Sequence, residues 1–164
     1  MNDGYQNAPE ATVRAWRNGW FHTGDLLVAD ADGDLFYVDR LKDAIRRRGE
    51  NISSAEVEME VRTFPPIADV AAIGARADDG EEVMVVVCPH EGQEIDPSSL
   101  IAHLIPRMPH FMVPRFVRVV PQLPMTQTNK VQKSDLRAQG VTHAWDREAA
   151  GIKVRRQKLP SQHE

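Results

Sequence analysis

Several residues of this chain stand on turns, where a charged ligand could reach them. Lys130 ends the run Leu123-Pro124-Met125-Thr126-Gln127-Thr128-Asn129-Lys130 and is followed by Val131-Gln132-Lys133. A proline-punctuated turn with two hydroxyls therefore delivers one cation just ahead of a short amphipathic helix. Asn129 suits that turn, because asparagine tolerates the left-handed backbone region better than most residues with a Cβ. Alone, Lys130 reads as a surface lysine, and Lys133 as a solvated helix residue. Asp25 follows Gly24 in Trp20-Phe21-His22-Thr23-Gly24-Asp25. An aspartate after glycine is ordinary turn chemistry. Arg40 lies in Asp39-Arg40-Leu41-Lys42-Asp43, where the plain reading is a surface ion pair with Asp39, worth little. Gly49 has no side chain and lets a ligand approach its backbone closely. Arg46-Arg47-Arg48 precede it, and guanidinium forks suit phosphate oxygens. Three consecutive strand residues need not share a surface, however, so solvated strand charges are the simpler account.

Other chemistries find little footing. His22, His90, His103, His110, His143 and His163 show no metal-ligand spacing and no nucleophile–base pairing. Cys88 is the single cysteine, which excludes an intramolecular disulfide or a cysteine metal site. It ends the apolar run Val83-Met84-Val85-Val86-Val87 and reads as a small buried hydrophobe. In Asp30-Ala31-Asp32-Gly33-Asp34 the glycine falls at the fourth loop position, and Leu41 stands where a calcium loop needs its bidentate glutamate. That segment reads as a turn. The ten glycines are dispersed, and no glycine-rich loop for the β- and γ-phosphates of a nucleotide is formed.

The elements that must position these residues follow from period and punctuation. Pro9 opens a helix over 9–17, which Asn18-Gly19 closes. Apolar runs over 26–29 and 35–38 flank the acidic turn as a hairpin. Residues 43–48 form a strand ending at Gly49. Ser53 with Glu56 three residues on is a capping box, opening a helix whose stripe is Val57, Val61 and Phe64 and which Pro65-Pro66 stops. Strands over 70–75 and 83–88 meet across Asp78-Asp79-Gly80. A helix opens at Asp96-Pro97 and carries Leu100, Leu104 and Ile105. A strand over 116–120 and a helix over 132–137, ended by Gly140, complete the order. This predicts a compact α+β sheet with helices on one face. Residues 141–164 read as a loosely ordered polar tail.

At 164 residues, 41% hydrophobic and 27% charged, the chain is one ordinary domain or a small domain with extensions. A net charge of −4 argues against general nucleic-acid binding, which shows a basic domain or stripe. No stretch approaches the roughly 18 apolar residues of a membrane span, and the N-terminus has no secretory signal pattern, so a cytoplasmic protein is expected.

Taken together, Trp20-Phe21-His22-Thr23-Gly24-Asp25, Asp39-Arg40-Leu41-Lys42-Asp43 and the segment ending at Lys130 resemble, in order and spacing, the C-terminal part of an adenylate-forming (AMP-binding) enzyme. Gly49-Glu50-Asn51-Ile52-Ser53 and Trp145-Asp146-Arg147-Glu148 resemble the acyl-CoA ligases of the crotonobetaine/carnitine or fatty-acid type. The resemblance implies a large-domain remnant with a hairpin over 1–40, a C-terminal lid domain over 41–140 and a polar tail over 141–164. It implies Lys130 as the adenylation lysine, in a loop whose usual glycine is Asn129. Asp25 would face the ribose hydroxyls of ATP, and Arg40 the ribose and phosphates. Lys42 would be the hinge about which the lid turns, and Gly49 a wall of the pantetheine tunnel. ATP, a carboxylic acid and CoA are the implied substrates. Magnesium is expected to bind in a large N-terminal domain that this chain lacks. The chain is accordingly expected to be inactive unless a separate AMP-binding domain is supplied. The competing expectation is a non-catalytic docking module or a truncated remnant of such an enzyme.

Overall fold

The computed structural model describes residues 4–78 and 80–154. These divide into two compact units, one ending at Lys42 and one beginning at Asp43. In the first unit, α1 (Pro9–Ala15) has proline in its first turn, where a missing N–H and a fixed φ cost nothing. The helix ends at extended Trp16, two residues sooner than expected. Trp16–Arg17 instead form β1, which pairs with β2 (Trp20–Phe21). Asn18 and Gly19, at φ 55° and 77°, supply the left-handed pair that a two-residue hairpin turn demands. Asn18-Gly19 thus turns a hairpin rather than closing a helix. β3 (Asp25–Ala29) and β4 (Leu35–Arg40) form the expected hairpin. Its acidic turn is self-bonded, with Asp30 Oδ1 accepting from the N–H groups of Asp32 and Asp34 at 3.0 and 2.9 Å.

The second unit starts with the hairpin β5 (Ile45–Arg47) and β6 (Glu50–Ile52). Ser53 caps α2 (Ser54–Val61), its hydroxyl accepting from the Glu56 N–H at 3.3 Å. The long strands β7 (Ile67–Ala77) and β8 (Gly80–Pro89) run antiparallel. Asp96 caps α3 (Pro97–Leu104), accepting from the N–H groups of Ser98 and Ser99. β9 (Phe116–Val119) then lies parallel to β8, a pairing that requires a crossover and here carries α3 across. α4 (Lys133–Ala138) follows, and β10 (Trp145–Asp146) closes the sheet in the order β10-β9-β8-β7. This is the small mixed sheet with packed helices that the sequence predicts.

Helices cover both faces of the sheet, not one. Val70, Ala72, Val83, Val85 and Val87 pack with Val57, Val61, Leu100, Ile101 and Leu104 of α2 and α3. Their strand neighbours Ala71, Ile73, Met84, Val86 and Cys88 pack with Leu123 and with Leu136 of α4. The physical reason is legible in β7 and β8, which are apolar without alternation, as strands buried on both faces are. The stretch from residue 141 also departs from a loose tail as far as it is described. Trp145 and Asp146 pair with Val117 and Phe116, and Arg147, 3% exposed, donates to the carbonyls of Pro114 and Ile152. Residues 155–164 lie outside the described residues.

Candidate functional site

In the first unit the β3–β4 register sets Asp25 directly opposite Arg40. Arg40 Nε lies 3.0 Å from Asp25 Oδ1, an ion pair without the alignment of a hydrogen bond. Arg40 therefore pairs with Asp25 and not, through its side chain, with Asp39. The Asp39 carboxylate instead accepts from the Arg40 backbone N–H at 2.7 Å. Thr23 Oγ1 accepts from the Asp25 N–H, and Leu41 N–H reaches Gly24 O at 2.7 Å, so both ends of the pair are tied. A broad pocket of about 830 Å³ opens beside them, lined in part by Arg14, Phe21, His22, Asp25 and Lys42. Two residues assigned to the nucleotide are thus in contact. Lys42, the expected hinge, is exposed in a turn and is the last residue of the first unit.

In the second unit, Lys130 sits on a turn held almost wholly by its own backbone and hydroxyls. Met125 and Val131 bridge across its base, and Gln132 N–H bonds Pro124 O at 2.8 Å. Thr126 donates its N–H to Lys130 O at 2.8 Å, and Thr126 Oγ1 accepts from the Lys130 N–H at 3.0 Å. Asn129 occupies φ 55°, the left-handed position that glycine would take most cheaply. Leu123, 4% exposed, anchors the approach. The Lys130 side chain is exposed, and its ammonium has no partner among the described residues. The turn is fixed by its own bonds while the ammonium meets no partner among the described residues.

Gly49 stands at a separate tip of the same unit. With Arg48 at φ 49° and Gly49 at φ 89°, the two residues make a left-handed hairpin turn between β5 and β6. Open space faces the missing Cβ of Gly49. The arginines before it are not a set of solvated strand charges. Arg47 is buried, in ion-pair contact with Glu82, and donates to Phe111 O at 2.8 Å. Arg48 reaches Glu82 Oε1 at 3.3 Å, and only Arg46 keeps an unshared exposed guanidinium. Cys88 is buried as expected, and burial, with the nearby Asp69 charge, raises its thiol pKa.

One residue behaves differently from its sequence reading. Lys133 is mostly buried, not solvated. Its Nζ lies 2.8 Å from Ser54 Oγ and 2.8 Å from Glu58 Oε1. Nothing local in the sequence signals this, because Ser54 is 79 positions away.

The AMP-binding enzyme C-terminal domain family matches residues 56–130. The chain is 42% identical over 135 residues to feruloyl-CoA synthase of Amycolatopsis sp, covering 82% of this chain and 28% of that protein. Among solved structures, ATP-bound MatB from Rhodopseudomonas palustris superposes with a TM-score of 0.74 at 33% identity, over 83% of this chain and 27% of the other. The o-succinylbenzoate CoA synthetase of Bacillus subtilis, in complex with its acyl-adenylate, gives a TM-score of 0.74 at 26% identity over 96% of this chain and 29% of its own. The chain spans about a quarter of the length of the curated relatives it matches. It belongs to the adenylate-forming, AMP-binding enzymes and corresponds to the C-terminal part of their acyl-CoA ligases.

Proposed function

We propose that this chain is the catalytic lid of an ATP-dependent acyl-CoA ligase. In such a reaction a carboxylate oxygen attacks the α-phosphorus of ATP, the bond to the β-phosphate oxygen breaks, and pyrophosphate leaves. The thiolate of CoA then attacks the acyl carbon of the adenylate and expels AMP. Lys130 is the adenylation lysine: its ammonium offsets charge building on the phosphoryl oxygens in a site that excludes water. Asp25 accepts from the ribose hydroxyls while Arg40 steadies its carboxylate and faces the phosphates. Lys42 is the hinge, a role that needs only a turn whose dihedrals can change. Gly49 borders the path of the pantetheine arm. Among the described residues no group of three or more His, Cys, Asp or Glu side chains is placed to hold a magnesium ion. The roles proposed here rest on Lys130, Asp25 and Arg40. The observation that carries the reading is the lysine turn itself, internally bonded yet presenting a cation that has no partner among the described residues.

The acid is not chosen here. Feruloyl-CoA synthase and o-succinylbenzoate CoA synthetase are named for different acids, and this chain is similar to both. No helix of the described residues is long and apolar enough to cross a membrane. One further observation favours dependence on more protein. Trp20, Leu35, Phe36 and Tyr37 of the first unit are 75%, 66%, 56% and 57% exposed. Exposed apolar side chains of that kind suit burial against a large AMP-binding domain or another docking partner.

The test is pyrophosphate release from ATP with a panel of carboxylic acids. The chain alone is expected to give none. Mixed with the lidless large domain of a related ligase it is expected to restore release, and Lys130→Ala is expected to lower that release by about 10²–10³-fold. Restoration that is indifferent to Lys130→Ala would overturn the catalytic assignment and favour a docking module.

A further inference from the structure

Lys130 stands only three residues before Lys133, the first residue of α4, and that helix is six residues long. A helix this short does not hold itself together in water and depends on its attachments. It has no side-chain cap at its start. A lysine in the first turn is also on the wrong side of the helix dipole, which favours anions there. A choice that opposes local preference marks a position governed by something else.

What governs it is a chain of contacts into the core. Lys133 Nζ is 2.8 Å from both Ser54 Oγ and Glu58 Oε1 of α2. The same Glu58 oxygen accepts from the Ala72 N–H of β7 at 2.9 Å. Both charged side chains are largely shielded, at 17% and 14% exposure. Further along α4, Arg137 pairs with Asp43 at 2.8 Å and Leu136 is buried. The downstream end of the Lys130 turn is therefore tied through Lys133 and Glu58 to the central sheet. The upstream end is tied through Leu123.

We infer that Lys133 is a positioning residue for adenylation, holding the Lys130 turn at a fixed height above α2 and β7 through Glu58. The inference rests on the assignment of Lys130 proposed above. Lys133 touches no substrate in this role. It sets where the Lys130 ammonium can stand, and displacement by about 1 Å from a productive geometry costs roughly a hundredfold in rate. The second half-reaction, thioester formation from a supplied acyl-adenylate, needs no cation at the α-phosphate and is insensitive to this tether.

The experiment compares wild type, Lys130→Ala, Lys133→Met and Glu58→Gln, each combined with the lidless large domain of a related ligase. Two rates are read: pyrophosphate release, and thioester formation from synthetic acyl-adenylate and CoA. Amide exchange of the chain is followed alongside. Lys133→Met and Glu58→Gln are expected to slow pyrophosphate release about tenfold to a hundredfold while thioester formation is unchanged. The Lys130 N–H is expected to exchange faster, with Val57 and Ile73 still protected. Should Lys133→Met lose its fold, Glu58→Gln decides, because it keeps the shape and an acceptor for Ala72. If Lys130→Ala abolishes release while both tether variants stay within about twofold of wild type, the tether is refuted and Lys130 stands. Equal losses in both half-reactions would show a general structural role and refute it too. If Lys130→Ala itself has no effect, the assignment of Lys130 fails and this inference falls with it.

Discussion

Glu82 is 1% exposed and faces two arginines, Arg47 in buried contact and Arg48 at 3.3 Å. Removing one member of a buried pair strands the other charge away from water, which is costlier than the pair itself is stabilising. Glu82→Ala is therefore expected to lower stability by about 3–5 kcal/mol. The double variant Arg47→Met with Glu82→Met, which leaves no stranded charge, is expected to recover much of that loss. Urea midpoints of the three proteins provide the check, and equal losses in single and double variants would refute the account. The same residues show what was legible at this scale. Lys130, Asp25 and Arg40 stand in short segments whose types and spacing can be read along the chain. Glu82 and Lys133 draw their meaning from partners more than thirty residues distant, so a lysine bonded into α2 looked like a solvated one.

At the scale of elements, His103 links α3 to the end of α2. Its Nε2 lies 2.8 Å from Thr63 Oγ1, and the Thr63 hydroxyl already donates to Glu60 O at 2.6 Å. The hydroxyl has one proton, so the histidine nitrogen must be the donor, which a neutral imidazole satisfies. Burial holds the His103 pKa below its ordinary value, the Arg107 cation adds to this, and Glu60 opposes it. The folded state then binds the proton more weakly than the unfolded chain does. The stability this contributes is complete above the ordinary value of about 6.5 and is lost as pH falls through and below it. Between pH 7.5 and pH 5, the urea midpoint of wild type is expected to fall further than that of His103→Gln (a window taken around the ordinary histidine pKa of about 6.5). Parallel pH profiles would rule this out. Elements with strong punctuation were legible: the caps at Ser53 and Asp96 and the proline at the start of α1 each mark a real boundary. Strands of two or three residues such as β1, β2, β6 and β10 were not, since so few residues carry no period, and tertiary pairing alone fixes them.

At the scale of the molecule, the two units differ in what holds them. Every buried apolar residue among those described lies at Ile45 or beyond, in the second unit. The first unit keeps its fold through the hairpin ladders, the Asp25–Arg40 pair and the contact of Trp16 with Phe21, whose rings are 5.4 Å apart. Apolar burial is the dominant favourable term in folding, and a unit without a core has little to set against chain entropy. In the enzyme proposed above, a large domain would supply the missing burial, and the first unit would then need only a competent hairpin and no core of its own. The chain by itself is expected to unfold in two steps. The tryptophans separate them, because Trp16 and Trp20 belong to the first unit and Trp145 to β10 of the second. Fluorescence of a Trp20→Phe, Trp145→Phe variant follows Trp16, and that of a Trp16→Phe, Trp20→Phe variant follows Trp145. The Trp16 signal is expected to change at clearly lower urea and with a shallower slope, since the slope scales with the surface exposed. Adding the lidless large domain of a related ligase is expected to move the Trp16 midpoint upward, because a partner that binds only the folded state stabilises it. Coincident transitions in the two variants would mean that the units fold as one body, and the argument for a first unit awaiting its cover would fail.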